Sequence, residues 1–334
     1  MKDEHLSVET LASWLCGELP HDDLLRQVVP HFLDRCPTCR ERYEEVRRLQ
    51  REVEHWNEGI AVHEGLRAPE QLASLCDLPF DQQLSLIEQD GELQSWGLSQ
   101  LLIKRSLEAA LDDPARAVTL AELAVRIADL LPGEAYDPHW VTDLRAKCWA
   151  YLGNARRVLG ELWSADEAFR RAEFYLEKSM TGNARVHAEV ADLKASLRRG
   201  QRRFAEARTL LDQAIRTFEE LGDSHHVGRS LINKAKVLEE QGELESAIEI
   251  LREAGPLLDA TREPRLVFCS QLSLVVLLTA GGKHAAAEAL LPEARRLATE
   301  QQNPLDLVRL AWAEGRIAFG LGRLGAAEAA FRAA

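Results

Sequence analysis

A self-similar period of 40 residues runs through the second half of this chain and limits its possible folds more than any other feature. The pattern Ala-x3-(large apolar)-x2-Ala reads Ala165/Phe169/Ala172, Ala207/Leu211/Ala214, Ala247/Leu251/Ala254, Ala287/Leu291/Ala294 and Ala327/Phe331/Ala334. A weaker copy, Ala117/Ala121/Ala124, lies 48 residues before the first; the next step is 42 residues and the last three are 40. Self-similarity at such a period is the signature of stacked supersecondary units. Small residues at i and i+7 share one helical face, where a neighbouring helix approaches closely. Gly160-Glu-Leu162, Gly242-Glu-Leu244, Gly282-Lys-His284 and Gly322-Arg-Leu324 precede four of the copies. Each reads as a helix ending at glycine and a new one entered through a packed side chain. Further breaks fall at Pro132-Gly133, Gly182, Gly222-Asp223, Pro264 and Pro304. Each repeat is therefore predicted to be two antiparallel helices, with neighbours sharing one core.

Trp149-x2-Leu152-Gly153 followed by Ala165-x3-Phe169-x2-Ala172 resembles the tetratricopeptide repeat, in a 40-residue form. Ala235 and Gly315 keep the small position of the first helix, whereas Val275 does not. The resemblance covers about residues 141–334, extending back toward 98, and implies an all-α, right-handed TPR-like solenoid. It also implies that the first helix of each pair lines the concave surface, at positions eighteen, eleven and eight before the signature alanine. These are Lys147, Asn154 and Arg157 in one repeat, Arg229, Lys236 and Glu239 in another, and Arg309, Arg316 and Phe319 in the last. The Ala207 copy reads with a two-residue insertion, which gives His187 and Lys194; the Ala287 copy gives Cys269, Val276 and Thr279. The chain has 41 Lys+Arg against 54 Asp+Glu, a net charge of −13. A wall gathering Lys147, Arg157, Lys194, Arg229, Lys236, Arg309 and Arg316 reverses that sign. Such a groove favours an acidic peptide or a C-terminal carboxylate; ordinary solvated charges are the alternative.

The N-terminal part carries a different chemistry. Residues 31–39, HFLDRCPTC, place His31, Cys36 and Cys39 within one or two helical turns. A C-x2-C knuckle supplies two of the four tetrahedral ligands that zinc takes, and Pro37 helps fix the turn. His5, Cys16 and His21 are candidates for the remaining ligand. Leu11-Ala-Ser-Trp14-Leu-Cys-Gly17-Glu18-Leu19 together with His31…Cys36-Pro-Thr-Cys39-Arg40 resembles the zinc-binding anti-sigma domain of bacteria. That resemblance, over about residues 1–60, implies His5, His31, Cys36 and Cys39 as ligands of a structural zinc. Four residues separate His31 from Cys36 where the family has three, and Pro30 kinks the chain just before. A redox dithiol and a site that has lost its metal are the other readings of the two cysteines. Residues 40–60 read as one charged helix with a seam of Val46, Leu49, Val53, Trp56 and Ile60, packed on its own chain or on a partner. Breakers at Pro69, Pro79, Gly91 and Gly97 predict short connecting helices over 61–97.

Three regions follow: 1–60 a zinc-finger-like helical module, 61–97 a helical connector, 98–334 the solenoid. An apolar content of 46% excludes a disordered chain, and the acidic balance argues against nucleic acid and acidic membranes as partners. No apolar run reaches 18 residues and no signal peptide opens the chain, so a cytoplasmic location with reduced thiols is expected. Cys76, Cys148 and Cys269 read as small core residues, and His225-His226 as a solvated turn. No phosphate loop, nucleophile elbow or H-E-x-x-H is present, so no enzyme activity is expected. The expected function is regulatory protein binding, with a sigma factor gripped by the N-terminal module and a second protein on the solenoid. A pure scaffold whose first module is a cap is one alternative. The other is the sensory half of a longer enzyme, since the chain stops at a signature position without a capping helix.

Overall fold

Four helices of the second half of the repeats start at the same register. Asn183, Asp223, Glu263 and Asn303, spaced by 40 residues, occupy the positions just before helices beginning at 184, 224, 264 and 304. The Asn183, Asp223 and Asn303 side chains accept hydrogen bonds from backbone N–H groups two or three residues on, satisfying donors a helix leaves open. Pro264 and Pro304 sit at the first helical position, where a missing N–H is harmless.

A computed structural model describes residues 5–7, 10–11, 36–179 and 182–334, which are α-helical with two short 3-10 turns and, among these residues, no strand. The helices are α1 (Pro37–Cys76), α2 (Phe80–Gln89), α3 (Trp96–Ala109), α4 (Pro114–Leu130), α5 (Pro138–Leu159), α6 (Leu162–Lys178), α7 (Ala184–Gly200), α8 (Phe204–Glu220), α9 (Ser224–Gln241), α10 (Leu244–Ala254), α11 (Pro264–Ala280), α12 (His284–Gln301), α13 (Pro304–Gly320) and α14 (Leu324–Ala333). Two compact units result, Met1–Val186 and His187–Ala334. The expected all-α architecture of stacked hairpins is present in both. In the second unit α9 packs on α10, α11 on α12 and α13 on α14, while first helices also touch one another, α9 with α11 and α11 with α13.

The hairpin turns are alike in detail. Gly160, Gly242, Gly282 and Gly322 hold positive φ of 93°, 82°, 72° and 74°, five residues before the signature alanine. In the Ala207 copy that place belongs to Arg202, at φ 59°. Its N–H bonds the Arg199 carbonyl and the next N–H bonds Arg198, the same pair of bonds as at the glycines. The two-residue insertion expected before Ala207 therefore does not exist: Gly200 closes α7 and an arginine carries the left-handed turn. In the corrected register Glu189, Ser196 and Arg199 replace His187 and Lys194 as the inner-face positions.

Packing inside each hairpin is set by a paired choice of side-chain size. Gly153 faces Phe169 and Gly315 faces Phe331; an added Cβ would lie 2.9 Å and 2.5 Å from the respective rings. At the same register Ala195 shares a core with Leu211, Ala235 with Leu251, and Val275 with Leu291. Glycine goes with phenylalanine and a residue bearing a Cβ goes with leucine, so the hairpin volume stays filled. The signature alanines Ala165, Ala207, Ala247 and Ala287 have no exposed surface, as close helix approach requires.

The first unit departs from the expected layout. The 60/61 boundary falls inside α1, and the connector is in part this same helix, which runs 40 residues and passes through Pro69 without a break. Pro69 lies on the exposed side, while Ala68 and Leu75 are buried and Ile60, Ala61 and Leu72 pack against the core. Burial of that face outweighs the local cost of the proline. Gly97 on α3 meets α1 so closely that a Cβ would lie 2.4 Å from the Glu64 carbonyl carbon. The Glu64 carboxylate accepts from Gly97 N–H at 3.0 Å and from the Tyr136 hydroxyl at 2.6 Å. Trp96 stacks on Trp140 beside this contact, ring centroids 3.4 Å apart. Of the seam Val46, Leu49, Val53, Trp56 and Ile60, the side chains of Leu49, Val53 and Trp56 lie outside the described residues.

Gly153→Ala is expected to destabilise the protein by about 1–3 kcal/mol through overpacking on Phe169. Adding Phe169→Leu should recover much of that loss, because Ala/Leu is the pairing the neighbouring repeats use. Urea denaturation of the two single variants and the double variant measures the coupling; strictly additive losses would contradict paired sizing.

Candidate functional site

Two groups of polar residues stand out, one in each unit. The first is at the start of α1. Pro37 opens the helix, and Cys36 before it has extended backbone. Cys36 and Cys39 are three residues apart on the first turn and so share a side. The segment before it brings His5 to both: Nδ1 lies 3.2 Å from Cys36 Sγ and 3.9 Å from Cys39 Sγ. Leu6 N–H donates to Cys39 Sγ at 3.3 Å and Arg42 donates to the Leu6 carbonyl at 3.0 Å, which ties the segment to α1. The backbone N–H of Cys39 pulls the Cys36 thiol down to about 7, assisted by the Cys39 and His5 side chains. Burial pushes the Cys39 thiol up, and the neighbouring Cys36 adds to this.

The donor set suits zinc. Bonds of about 2.3 Å to sulfur and 2.0–2.1 Å to nitrogen place tetrahedral ligands about 3.5–3.8 Å apart. The observed separations bracket that range, and the three donor atoms lie within 4.8 Å of one another. His31, like Cys16 and His21, lies outside the described residues, so the structure brings together three of the four implied ligands. Cys36 and Cys39 are free thiols, not a disulfide.

The second group lies on the first helices of the hairpins in the second unit. Asp192 on α7 is buried and accepts from Asn233 Nδ2 on α9, 3.2 Å to each oxygen. Arg229 on α9 lies 3.9 Å from Asp192 and 3.5 Å from Glu263. His225 Nδ1 accepts the Asp259 N–H at 3.0 Å, and its Nε2 is 3.6 Å from Glu263. Asp306 on α13 has 1% of its side chain exposed and lies between Arg265 Nε at 3.0 Å and Arg309 Nη1 at 3.4 Å. Lys236 is half-buried on α9 and Cys269 half-buried on α11. Burial raises the Cys269 thiol, Asp306 raises it further, and Lys236, Arg265 and Arg309 oppose them. Arg316 stacks over the Trp312 ring at 4.9 Å.

These positions amend the sequence reading. The inner face of the second unit is not a wall of unopposed cations: Asp192, Glu263 and Asp306 sit between the basic side chains and hold several of them. Lys194 is out of register; its equivalent, Lys234, turns sideways to pair with Asp212 at 2.7 Å. In the first unit Asn154 is buried and accepts from Arg157 at 3.2 and 2.8 Å, so those two engage each other, and Lys147 is half-buried on the same helix. His225 and His226 are 5% and 8% exposed, not solvated, because they form the first turn of α9. His226 stacks on Phe218 and bonds Asp223 at 2.7 Å; burial lowers its imidazole below the ordinary range, against the pull of Asp223. Cys76 is exposed at the end of α1 and is not a core residue; Cys148 is one. The acids had a legible signal: Asp192 with Asn233 and Arg265 with Asp306 are each 41 residues apart, one repeat along.

Residues 187–258 match the tetratricopeptide repeat family. Among solved structures the chain is similar to BtubC (BKLC) from P. vanneervenii, with 20% identity and a TM-score of 0.55 over 66% of this chain and 89% of that one. It is also similar to a Rap protein crystallised with competence and sporulation factor, at 13% identity and a TM-score of 0.59 over 98% and 86% of the two chains. A third is PH0952 from Pyrococcus horikoshii, a signal transduction ATPase with a tetratricopeptide repeat sensor, at 15% identity and a TM-score of 0.51 over 90% and 47%. Likeness at these identities is one of fold. No curated protein matches the chain in sequence. No helix among the described residues is long and apolar enough to cross a membrane.

Asp306→Ala leaves two guanidiniums around a buried vacancy in place of their carboxylate, and is expected to cost about 3–5 kcal/mol. Glu288→Ala, which removes an exposed partner of Arg323, should cost less than about 1 kcal/mol. Equal losses in guanidinium denaturation would contradict the assignment of Asp306 as the polar keystone of this face.

Proposed function

We propose that this chain is a non-enzymatic regulatory protein that docks protein partners on the inner helices of its repeats and carries a zinc-stapled knuckle near its N-terminus. The observation that carries this reading is the set of polar side chains on α7, α9 and α13, in which Arg229 and Arg309 share one repeat position and Lys236 and Arg316 another, and in which Asp192 and Asp306 are buried carboxylates. Such a surface presents fixed charges without a poised nucleophile or acid–base pair, which suits recognition. Lys236, Arg309 and Arg316 on this face favour an acidic peptide segment in this groove. Arg229 holds the face together and does not reach outward.

His5, Cys36 and Cys39 would hold a zinc ion with His31 as the fourth ligand. Four protein ligands leave no open position, so the metal's contribution is structural: it ties the first segment to α1 and supplies folding free energy there. With the anti-sigma resemblance, this module and α1 form the part that engages a sigma factor, and the repeats take a second protein. One observation favours the adaptor reading instead: the later half of α1 is already packed on α3 through Gly97 and Glu64. That arrangement suits a structural cap.

The purified full chain is expected to carry about one zinc per chain by elemental analysis; Cys36→Ser and Cys39→Ser should each abolish it. In metal-stripped, reduced protein, iodoacetamide should modify Cys36 first. Its rate should rise as pH passes through about 7, where the lowered thiol ionises, and added zinc should protect it. Metal-free protein that reacts no faster at Cys36 than at Cys148 argues against the cluster.

Binding of purified sigma factors to the full chain separates the two readings. An anti-sigma module predicts binding that Cys36→Ser abolishes and Lys236→Glu leaves intact. An adaptor predicts no sigma binding, and a protein partner whose affinity and salt dependence both fall in Lys236→Glu.

A further inference from the structure

Two aromatic side chains stand on the outer line of α6, at positions where later repeats keep small or polar residues. Trp163 is 76% exposed and Phe174 49%. They are eleven residues apart, three turns of helix, and so lie on one line about 16 Å from each other. Ala165, Phe169 and Ala172 on the opposite face have no exposed surface, which holds the line in place. The exposure belongs to the register and not to the end of a stack. Trp163 lies two residues before its signature alanine, and the same position is Ala205, Glu245 and Ala285 in the next three copies, all exposed. Phe174 lies nine residues after that alanine, where Arg216, Pro256 and Arg296 are exposed. Large aromatic rings set in places that every one of these repeats leaves to water have the character of interface anchors.

Glu167 and Arg170 lie between the rings. Positions 163, 167, 170 and 174 follow four-three-four spacing and form one stripe. Arg170 pairs with Glu167 at 2.7 Å and lies 4.0 Å from Asp166. Lys178 lies 4.3 Å from the centre of the Phe174 ring, which remains half exposed. In order along the helix the stripe reads aromatic, acid, base, aromatic. Turned end for end and laid on itself, it sets each ring against a ring and each charge against its opposite. Asp166, on the flank, then faces Arg171, which lies over the Trp149 ring.

We propose that α6 is the contact of a two-fold symmetric homodimer, in which the α6 helices of two copies lie antiparallel, with Trp163 of each against Phe174 of the other and Glu167 against Arg170 around the axis. A two-fold contact uses one patch twice and so must complement itself. This stripe does, and its four central charges alternate in sign within and between the copies. A contact with an unrelated protein places no such demand on the order of residues, which is what favours a second copy as the occupant. The net charge of −13 on each chain opposes association, and opposite charges paired at the axis offset it locally. One helix against one helix is a small contact, so the dimer is reversible and concentration-dependent. This inference is independent of the groove on α9 and α13.

Sedimentation velocity of the full chain over a wide range of concentration tests it. A monomer–dimer equilibrium is expected, weakened about tenfold or more in Trp163→Ser. Glu167→Arg and Arg170→Glu should each weaken it as well, because each gathers like charges at the axis. Mixed in equal amounts, these two variants should associate with each other again, since each then meets its opposite. All three positions are on the surface, and circular dichroism and thermal melts check that the variants keep the fold. A chain that stays monomeric at the highest concentration, or a dimer that Trp163→Ser leaves unchanged, overturns the proposal. So does a mixture of the two charge variants that associates no better than either alone, which would exclude the antiparallel pairing.

Discussion

Close approach of two helices within each hairpin is the constraint on which the rest of this structure depends. The signature alanines lie where one helix crosses the other, and any side chain larger than methyl would push the pair apart. The facing position then adjusts to what remains: Gly153 admits Phe169, while Ala235 and Val275 go with leucine. The compensation is volumetric. It explains how the sequence drifts from repeat to repeat while the hairpin geometry stays the same. On α9 and α13 the remaining face of the first helix carries polar groups, whereas on α11 it carries Cys269, Val276 and Thr279.

Those polar groups are where the second unit gains its character. A carboxylate at Asp192 or Asp306 is nearly removed from water and would be costly alone. Each is held by neighbours one repeat along, so the charges brace adjacent hairpins at the cost of desolvation. A network of this kind contributes less to net stability than to a defined arrangement, since misregistered hairpins would leave a buried carboxylate unpaired. The same logic separates cations of one apparent class. Arg229 lies between two acids and serves the fold, whereas Arg316 rests on an indole and keeps its charge available.

The architecture was legible from the sequence because small residues at fixed spacing leave few alternatives, and the glycine turns fell where expected. Register failed at one place for a physical reason. Left-handed backbone is the usual province of glycine, and the Ala207 copy has no glycine at that place: Arg202 holds the turn at φ 59°. The two-residue insertion read into this copy moved the inner-face assignment from Glu189 to His187 and hid the buried acids beside it. Pro69 misled in the opposite sense, since a breaker inside α1 is overruled by the burial of Ala68 and Leu75. The histidine pair was read from its neighbours Gly222 and Asp223, which are turn formers, yet Asp223 is a helix cap and the pair lies inside the helix it starts. The cysteine pair was visible because three-residue spacing on a helix turn is a local property; His5, 31 residues away, was reached only through the family resemblance.

A face whose charged groups are already braced behaves differently toward a ligand from one lined with free lysines. Ordering a long side chain on binding costs about 0.5–1.5 kcal/mol each. Arg265 and Arg309 have met part of that cost through Asp306, and Arg316 through its contact with Trp312. What they offer a partner is direction: the guanidinium planes are set before encounter, and Arg is suited to carboxylates in a fixed fork geometry. Selectivity at such a surface would come from matching the spacing of carboxylates to guanidiniums fixed by the repeat, and a partner with the same net charge but different spacing would be steered to the surface without being held.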